Sequence, residues 1–313
     1  MTDGAGGGVS RGRAARAARA GGDATGDVSG AAGAGGGAGN RARRHGRAGR
    51  DLRAATLVGL GLAAVVLSTL FLVRPAFVAL VVLVMVVAVW ELATALGTRA
   101  VAVPIVPVVL GSVLMLVGAY LGGGSPLMVG LGLTVAAVCV WRLGDPAPGY
   151  LRDVTAGIFT SVYVPFLAGF AILMARPDDG DWRVLALLAV VVASDTGGYV
   201  AGVMFGRHPM APSVSPKKSW EGFCGSVILS TAVAVAVAVF AFDAPWWTGI
   251  VLGAVGVIGA TVGDLGESLI KRDIGIKDMS SLLPGHGGLM DRLDSLLPSA
   301  PLIWLVLEYV VTA

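Results

Sequence analysis

Uninterrupted apolar runs of about 20 residues recur from residue 54 to the C-terminus, and they restrict the possible folds of this chain more than any other feature. A run of this length spans the hydrocarbon core of a bilayer as a helix. Only helices and closed barrels satisfy their backbone hydrogen bonds in lipid, and these runs are too long and too unbroken for barrel strands. With 55% hydrophobic and 14% charged residues, the sequence predicts an all-α, polytopic integral membrane protein.

The runs predict about nine transmembrane helices. Two of them are less regular than the others, because the eighth ends in polar residues and the ninth is short. Nine crossings would place the two termini on opposite sides of the membrane. The predicted spans lie near residues 54–73, 75–96, 100–121, 126–143, 154–175, 183–205, 222–242, 247–270 and 297–312.

Residues 1–53 differ from the rest of the chain in composition. They are mostly Gly, Ala and Arg, and they carry a net charge of +6, against +3 for the whole chain. Because so few aliphatic residues cannot form a core, we expect a disordered, basic cytoplasmic tail, followed by a transmembrane catalytic domain over 54–313. The favoured interpretation places this tail near anionic lipid headgroups. RNA binding is the alternative, but no nucleic-acid partner is expected.

Basic residues are distributed unevenly over the predicted loops. If the tail lies inside, ten further basic residues fall on the inner side, and only Arg74, Arg176 and Arg183 fall outside. Short loops rich in Lys and Arg face the cytoplasm. We therefore expect a multi-pass protein of a bacterial-type plasma membrane, with its N-terminus and its polar motif loops on the cytoplasmic side.

The first of three polar clusters is ASDTGGYVAG, residues 193–202, inside the predicted sixth span. A carboxylate within hydrocarbon is unfavourable, so Asp195 is a candidate functional residue. The alternative is an Asp that only hydrogen-bonds to neighbouring helices. Gly197, Gly198 and Gly202 would let another helix or a ligand approach closely.

The second cluster is SPKKSWEG, residues 215–222, at the entry to the seventh span. It contains Lys217 and Lys218, which are half of the lysines in the chain. A lysine pair beside a membrane helix is ordinarily a topology signal. Here Pro216 and Gly222 indicate a shaped turn, and a neighbouring Trp and Glu add an interfacial anchor and a carboxylate. The cluster is therefore also a candidate binding site.

The third cluster begins in GDLGESLIKR at the end of the eighth span. On a helix, Asp264 and Glu267 have the spacing i, i+3, and Ser268 and Lys271 continue the same face. Solubility does not require a carboxylate pair within the last turns of a membrane helix. The pair therefore indicates a functional site.

The cluster continues through SLIKRDIGIKDMSSLLPGHGGLMDRLD, residues 268–294, which concentrate charge in an otherwise apolar chain. Asp291 and Asp294 repeat the i, i+3 spacing. The PGHGG sequence at 284–288 predicts a tight turn with exposed backbone N–H groups. His286 is the one histidine within the three clusters.

These residue types favour phosphate chemistry. Mg2+ prefers carboxylate and phosphate oxygens, and Lys and Arg side chains bind phosphate directly. Nucleotidyl transfer requires charge neutralisation and alignment more than proton movement. The sequence has no apparent Ser–His–Asp set, and its distant histidines do not predict a zinc site. Cys139 and Cys224 lie in apolar runs and are interpreted as small buried residues.

Together the clusters resemble the signature of the phosphatidate cytidylyltransferases, also called CDP-diacylglycerol synthases. SPKKSWEG is similar to an upstream motif of that family, with Ser219 where Thr is usual. SDTGGY is similar to a third motif, with Gly198 where Ala is usual. The resemblance covers roughly 190–295. The signature itself rests on Ser268, Lys271, Arg272, Lys277, Asp278, the PGHGG turn, Asp291, Arg292 and Asp294.

The resemblance implies a reaction of CTP with phosphatidic acid that gives CDP-diacylglycerol and pyrophosphate. It also implies Mg2+, a second cation such as K+, membrane lipids as partners, and a homodimer. The implied metal ligands are Asp264 and Asp291, with Glu267, Asp294 and Asp195 as second choices. The implied catalytic cations are Lys271 and Arg272. The implied substrate-binding residues are Lys217, Lys218, Lys277, Arg292, His286 and Ser268.

Three other functions would use similar residues. An enzyme that cytidylates another lipid phosphate, such as an ether or polyprenyl lipid, would differ only in its acyl-binding surface. A CDP-alcohol phosphotransferase should contain DGxxAR, which this sequence lacks. A secondary transporter could use Asp195 and Asp264 as coupling residues, but it should show internal repeats, and none is visible here.

Overall fold

A computed structural model describes residues 59–280, 282 and 287–311, and these residues are mainly helical. Within the described chain, eight spans are long and apolar enough to cross a membrane. The predicted all-α, polytopic membrane fold is therefore confirmed. In chain order the helices are α1 (Gly59–Leu72), α2 (Arg74–Gly97), α3 (Ile105–Gly122), α4 (Gly124–Trp141), α5 (Tyr150–Ser161), α6 (Leu167–Met174), α7 (Gly180–Phe205), α8 (Trp220–Phe242), α9 (Trp246–Ile274), α10 (Met290–Leu293) and α11 (Leu296–Val306).

The first and the last of the predicted spans differ in detail from the observed helices. The first predicted span, 54–73, contains α1, which is shorter than the eight membrane-length spans. The ninth, 297–312, corresponds to a 22-residue span over Met290–Val311. The predicted tail, 1–53, lies outside the described residues.

One hydrophobic core joins the helices of the two halves of the chain. Leu92 of α2, Met115 of α3, Ile172 of α6, Leu252 of α9 and Ile303 of α11 are all fully buried. Because early and late helices share this core, a polar group on an early helix can reach the motifs of the C-terminal half.

The fifth apolar span is an interrupted helix. A π-helical turn over Val162–Phe166 separates α5 from α6, and Pro165 lies inside it. Proline has no N–H group and its ring clashes with the preceding turn, so a regular α-helix would be disrupted at this residue. The wider π turn accommodates it. The two helices together form one 25-residue span, Tyr150–Met174.

Small residues bring α7 and α8 into close contact. The backbones of Gly197 and Gly225 lie so close that a methyl group on either residue would clash with the facing chain. Ser226 Oγ donates a hydrogen bond to the Ser194 carbonyl oxygen at 2.6 Å. This contact fixes α7 against α8 at the residue next to Asp195.

A short antiparallel hairpin, which the sequence analysis did not predict, connects these two helices. Strand β1 is Pro209–Ala211 and strand β2 is Ser215–Ser219. The lysine pair of the second cluster therefore lies on a strand. Ser219 then caps α8, because its Oγ accepts a hydrogen bond from Gly222 N at 3.1 Å.

Helix α9 ends in a glycine turn just after the charged residues of the third cluster. Gly275 adopts a left-handed conformation with φ 73°. Its N–H donates to the Arg272 carbonyl oxygen at 3.2 Å, and the N–H of Ile276 donates to the Lys271 carbonyl oxygen at 2.9 Å. This pattern satisfies the last helix carbonyls and favours glycine at the left-handed position. The chain then turns toward the 276–289 segment.

Candidate active site

The three polar clusters line one cavity of about 410 Å³, formed by α7, α8 and α9 together with β2 and the start of α10. The cavity combines negative and positive side chains, which is the composition expected for binding phosphates together with cations. Over the described residues, its charged lining consists of Asp195, Lys217, Lys218, Asp264, Asp291, Arg292 and Asp294.

The hairpin joins the second cluster to the third. Lys218 Nζ lies 2.5 Å from Asp264 Oδ2. Both side chains are partly exposed, at 23% and 37%, because they face the cavity. A ligand in the cavity can therefore reach the ammonium and the carboxylate at the same time.

A second lysine bridges two acidic residues. Lys271 Nζ donates to Glu267 Oε2 at 2.9 Å, one helical turn earlier, and to Asp291 Oδ1 at 2.8 Å. The first contact follows the i, i+4 spacing of α9. The second requires the chain to return to α9 after the 276–289 segment. Lys271 therefore connects the two ends of the family-like signature.

Glu267 lies behind the cavity lining. Its side chain is fully buried, and Oε1 receives no hydrogen bond from any described residue. The carboxyl group of Asp294 lies within hydrogen-bonding reach of it. Two carboxyl groups in contact repel each other unless a proton or a cation lies between them. Glu267 and Asp294 thus provide a place for positive charge beside the cavity.

Asp291 also organises the backbone around it. Its Oδ2 accepts hydrogen bonds from Met279 N at 3.0 Å and from Gly288 N at 2.8 Å. With the Lys271 contact on Oδ1, three of its roughly four lone-pair positions are used. One position remains for a cation or a substrate group.

Other predicted site residues lie outside this cavity lining. Arg272 is exposed, and its Nε donates to the Val214 carbonyl of the hairpin turn at 3.3 Å. Ser268 and Lys277 do not contribute to the lining that the described residues form. His286 falls outside the described residues. The structure thus brings the carboxylates together with Lys217, Lys218, Lys271 and Arg292, and it gives Arg272 a contact with the hairpin.

The sequence analysis missed one acidic residue of this region, Glu91 on α2. Its side chain is fully buried, and it accepts hydrogen bonds from Ser280, Leu289 and Met290. The signal was present, because Glu91 is a carboxylate inside the apolar run 75–96. The argument that singled out Asp195, that a carboxylate in hydrocarbon requires a reason, applies equally to Glu91.

The donor groups of the cavity fit a hard divalent cation by their chemistry. Asp195, Asp264, Asp291 and Asp294 present carboxylate oxygens to one space, and Mg2+ binds such oxygens together with substrate phosphates. Among the described residues, no three His, Cys, Asp or Glu side chains are placed to hold one ion by themselves.

The fold and the cavity define a class of protein. It is a polytopic membrane protein with a cavity among its helices that is lined by both carboxylates and cations. The sequence matches the family model described as the cytidylyltransferase family over residues 53–310. The chain therefore belongs to the cytidylyltransferase family, and it is a nucleotidyltransferase.

Individual relatives agree with this assignment. The chain is similar to a phosphatidate cytidylyltransferase of Mycobacterium bovis, with 42% identity over 274 residues that cover 83% of this chain and 90% of that protein. A protein of the same name from Mycobacterium leprae is 42% identical over 279 residues, covering 83% and 89%. Phosphatidate cytidylyltransferase 4, chloroplastic, of Arabidopsis thaliana is 31% identical over 198 residues, covering 56% and 50%. These matches confirm the family resemblance drawn from the motifs.

Proposed function

We propose that this protein is a phosphatidate cytidylyltransferase, which converts CTP and phosphatidic acid to CDP-diacylglycerol and pyrophosphate. The observation that carries the proposal is the meeting of all three polar clusters in one cavity of a membrane protein. The relatives named phosphatidate cytidylyltransferase support it. A lipid substrate also suits the architecture, because its acyl chains can stay in the bilayer while its phosphate enters the cavity.

The reaction needs little proton transfer. An oxygen of the phosphatidate phosphate attacks the α-phosphorus of CTP, a new P–O bond forms, and the bond to the bridging oxygen of the pyrophosphate group breaks. The nucleophile is already anionic at neutral pH, so no strong general base is required. The task is to bring two polyanions together and to stabilise the departing pyrophosphate.

In this proposal the cationic side chains bind phosphate oxygens. Lys217, Lys218 and Arg292 line the cavity and are assigned to the CTP phosphates and the lipid headgroup. Lys271 lies between Glu267 and Asp291 and keeps Asp291 in place. Arg272 acts through the hairpin, because its contact is with the Val214 carbonyl.

The proposed metal ligands are Asp264 and Asp291, with Asp195, Asp294 and Glu267 in support. Bound Mg2+ would neutralise phosphate charge and favour pyrophosphate departure. A second cation such as K+ belongs to the same proposal. Lys218 and Lys271 form ion pairs with the two principal carboxylates. These ion pairs hold Asp264 and Asp291 in place to bind the metal ion.

We also propose that the cavity faces the cytoplasm of a bacterial-type plasma membrane and that the protein is a homodimer. The cytoplasmic orientation is supported by the positive-inside distribution of Lys and Arg and by the location of CTP in the cytoplasm. The dimer is carried by the family resemblance.

The test uses purified protein in detergent micelles with phosphatidic acid, labelled CTP and Mg2+, with and without K+. We expect CTP-dependent formation of a chloroform-soluble nucleotide, and loss of this product in Asp264→Asn. Asp273→Asn is the matched control, because Asp273 is an exposed carboxylate on the same helix and outside the cavity lining of the described residues.

The outcomes separate the competing functions. Product with phosphatidic acid from the wild type and from Asp273→Asn, but not from Asp264→Asn, supports the proposal. If only another lipid phosphate is cytidylated, the substrate assignment is wrong. If no lipid phosphate consumes CTP, nucleotidyl transfer itself is refuted and the transporter alternative returns. Full activity of Asp264→Asn would remove the metal assignment.

A further inference from the structure

Glu91 lies far in sequence from the polar clusters, yet its carboxylate contacts the segment that joins α9 to α10. Oε1 accepts hydrogen bonds from Ser280 Oγ at 2.5 Å and from Leu289 N at 3.0 Å. Oε2 accepts one from Met290 N at 2.8 Å. An ionised carboxylate that is fully buried must be compensated by such donors. These three donors all come from this one segment.

The donors lie at the two ends of the segment. Ser280 precedes the PGHGG sequence, and Leu289 and Met290 follow it. The backbone N–H groups at the start of a helix have no intrahelical acceptor, and Met290 is the first residue of α10. Glu91 therefore acts as a helix cap supplied by another helix, and it fixes the point at which α10 begins.

Asp291 holds the same segment from within. Its Oδ2 binds Met279 N and Gly288 N, next to the residues that Glu91 binds. Two carboxylates from different helices therefore fix adjacent backbone positions, at 279–280 and at 288–290. Because Met290 and Asp291 are consecutive, a shift of Met290 must move Asp291 and Arg292 in the cavity.

We propose that Glu91 is a positioning residue of the active site, which sets the place of Asp291 and Arg292 by anchoring Ser280, Leu289 and Met290 to α2. Its effect on turnover rests on the proposed function, in which Asp291 and Arg292 act on substrate and cation. Its effect on the backbone does not, because that effect follows from the hydrogen bonds alone.

Glu91 could instead be a buried carboxylate with a purely structural role, and a second buried carboxylate serves as the matched control for that alternative. Asp153 on α5 is also nearly fully buried. It accepts hydrogen bonds from Ala102 N at 3.0 Å, from Arg142 at 2.8 Å and from Arg152 at 3.0 Å. None of these partners belongs to the 279–290 segment. A purely structural role predicts that neutralising either carboxylate has the same consequences.

The experiment compares Glu91→Gln with Asp153→Asn in the full-length protein. Gln keeps the size of Glu but turns an N–H2 group toward at least one backbone donor, so the anchoring is weakened. We measure amide hydrogen exchange over 279–291, the apparent unfolding temperature, and kcat and KM for CTP. Glu91→Gln should speed exchange in this segment and lower kcat about 10- to 100-fold, as for supporting residues of other sites. Asp153→Asn should lower the unfolding temperature and leave both segment exchange and kcat at the wild-type value.

If both variants change exchange and kcat equally, or if Glu91→Gln changes neither, the proposal is overturned. If Glu91→Gln does not fold, Ser280→Ala decides, because it removes one of the three hydrogen bonds. Faster exchange at 289–290 with lower kcat in that variant supports the proposal, and wild-type values of both refute it. If the wild type itself transfers no nucleotide to a lipid phosphate, the proposed function has failed, and segment exchange alone still decides the role of Glu91.

Discussion

Lys271 illustrates how single residues organise this site. Its ammonium group lies within 3 Å of two carboxylates from different segments, Glu267 at 2.9 Å and Asp291 at 2.8 Å. Its own side chain is 15% exposed, and those of its partners are 0% and 9% exposed. A buried pair of this kind adds little net stability over apolar residues, but the removal of one partner leaves an uncompensated buried charge.

Lys271→Met should therefore be strongly destabilising. We expect a loss of about 3–5 kcal/mol, which corresponds to a fall of roughly 6–20 °C in the apparent unfolding temperature. Thermal unfolding in detergent micelles measures it. Lys277→Met is the control, because Lys277 is exposed and outside the described cavity lining. Adding Glu267→Gln to Lys271→Met should restore part of the loss, since it removes one of the two stranded charges. Equal unfolding temperatures for the two single variants would contradict this account.

At the scale of elements, the cavity depends on close approach of α7 and α8. Gly225 faces the Ala201 side chain and the Gly197 carbonyl, and a Cβ at Gly225 would lie 2.5 Å from Gly197 O. These groups are backbone or a short methyl, so they cannot turn aside as a long side chain would. The two helices would have to separate, and with them Ser194 and Ser226, which line the cavity from opposite helices.

Gly225→Ala should thus cost about 1–3 kcal/mol by overpacking and should also reduce turnover. Gly266→Ala on α9 is the matched control, because no atom lies within 4 Å of its built Cβ. That variant should be neutral or stabilising by up to about 1 kcal/mol, since Ala favours the helix over Gly. Apparent unfolding temperature and nucleotidyl transfer in micelles are measured for both. A Gly225→Ala protein as stable and active as Gly266→Ala would show that the α7–α8 contact is not limiting.

The elements also show which features can be read from the sequence. Membrane helices such as α8 were predictable, because an apolar run must form a helix in lipid whatever its neighbours. The hairpin was not, because strands β1 and β2 are only three and five residues long and have no alternating apolar pattern. Their pairing and the α8 contact stabilise them. The π turn at Pro165 could have been suspected from the proline alone.

At the scale of the whole molecule, the N-terminal helices support the C-terminal motifs. Arg99, just beyond α2, donates from Nε to the Ile274 carbonyl at 3.0 Å, and Glu91 holds the segment that follows. Such contacts join residues more than 170 positions apart, and no local sequence pattern predicts which residues make them. The motif residues were therefore predictable from their chemistry, whereas the helix that positions them became visible only in the fold.

The N-terminal residues before the family match provide a test of how far the catalytic unit extends. The match to the cytidylyltransferase family begins at residue 53, and the preceding residues carry a net charge of +5. Deletion of residues 2–50 should leave kcat in neutral detergent micelles unchanged, because the clusters, Glu91 and Arg99 all lie beyond the deletion.

The effect of the tail should appear on membranes that contain anionic lipid, where each Arg near the surface contributes about 1 kcal/mol of attraction. Synthetic peptide 1–53 should accordingly bind vesicles that contain phosphatidylserine more tightly than neutral ones, with an affinity that falls as salt rises. A large loss of kcat on deletion would mean that the tail takes part in the catalytic step, and equal binding of the peptide to both kinds of vesicle would refute its attraction to anionic lipid.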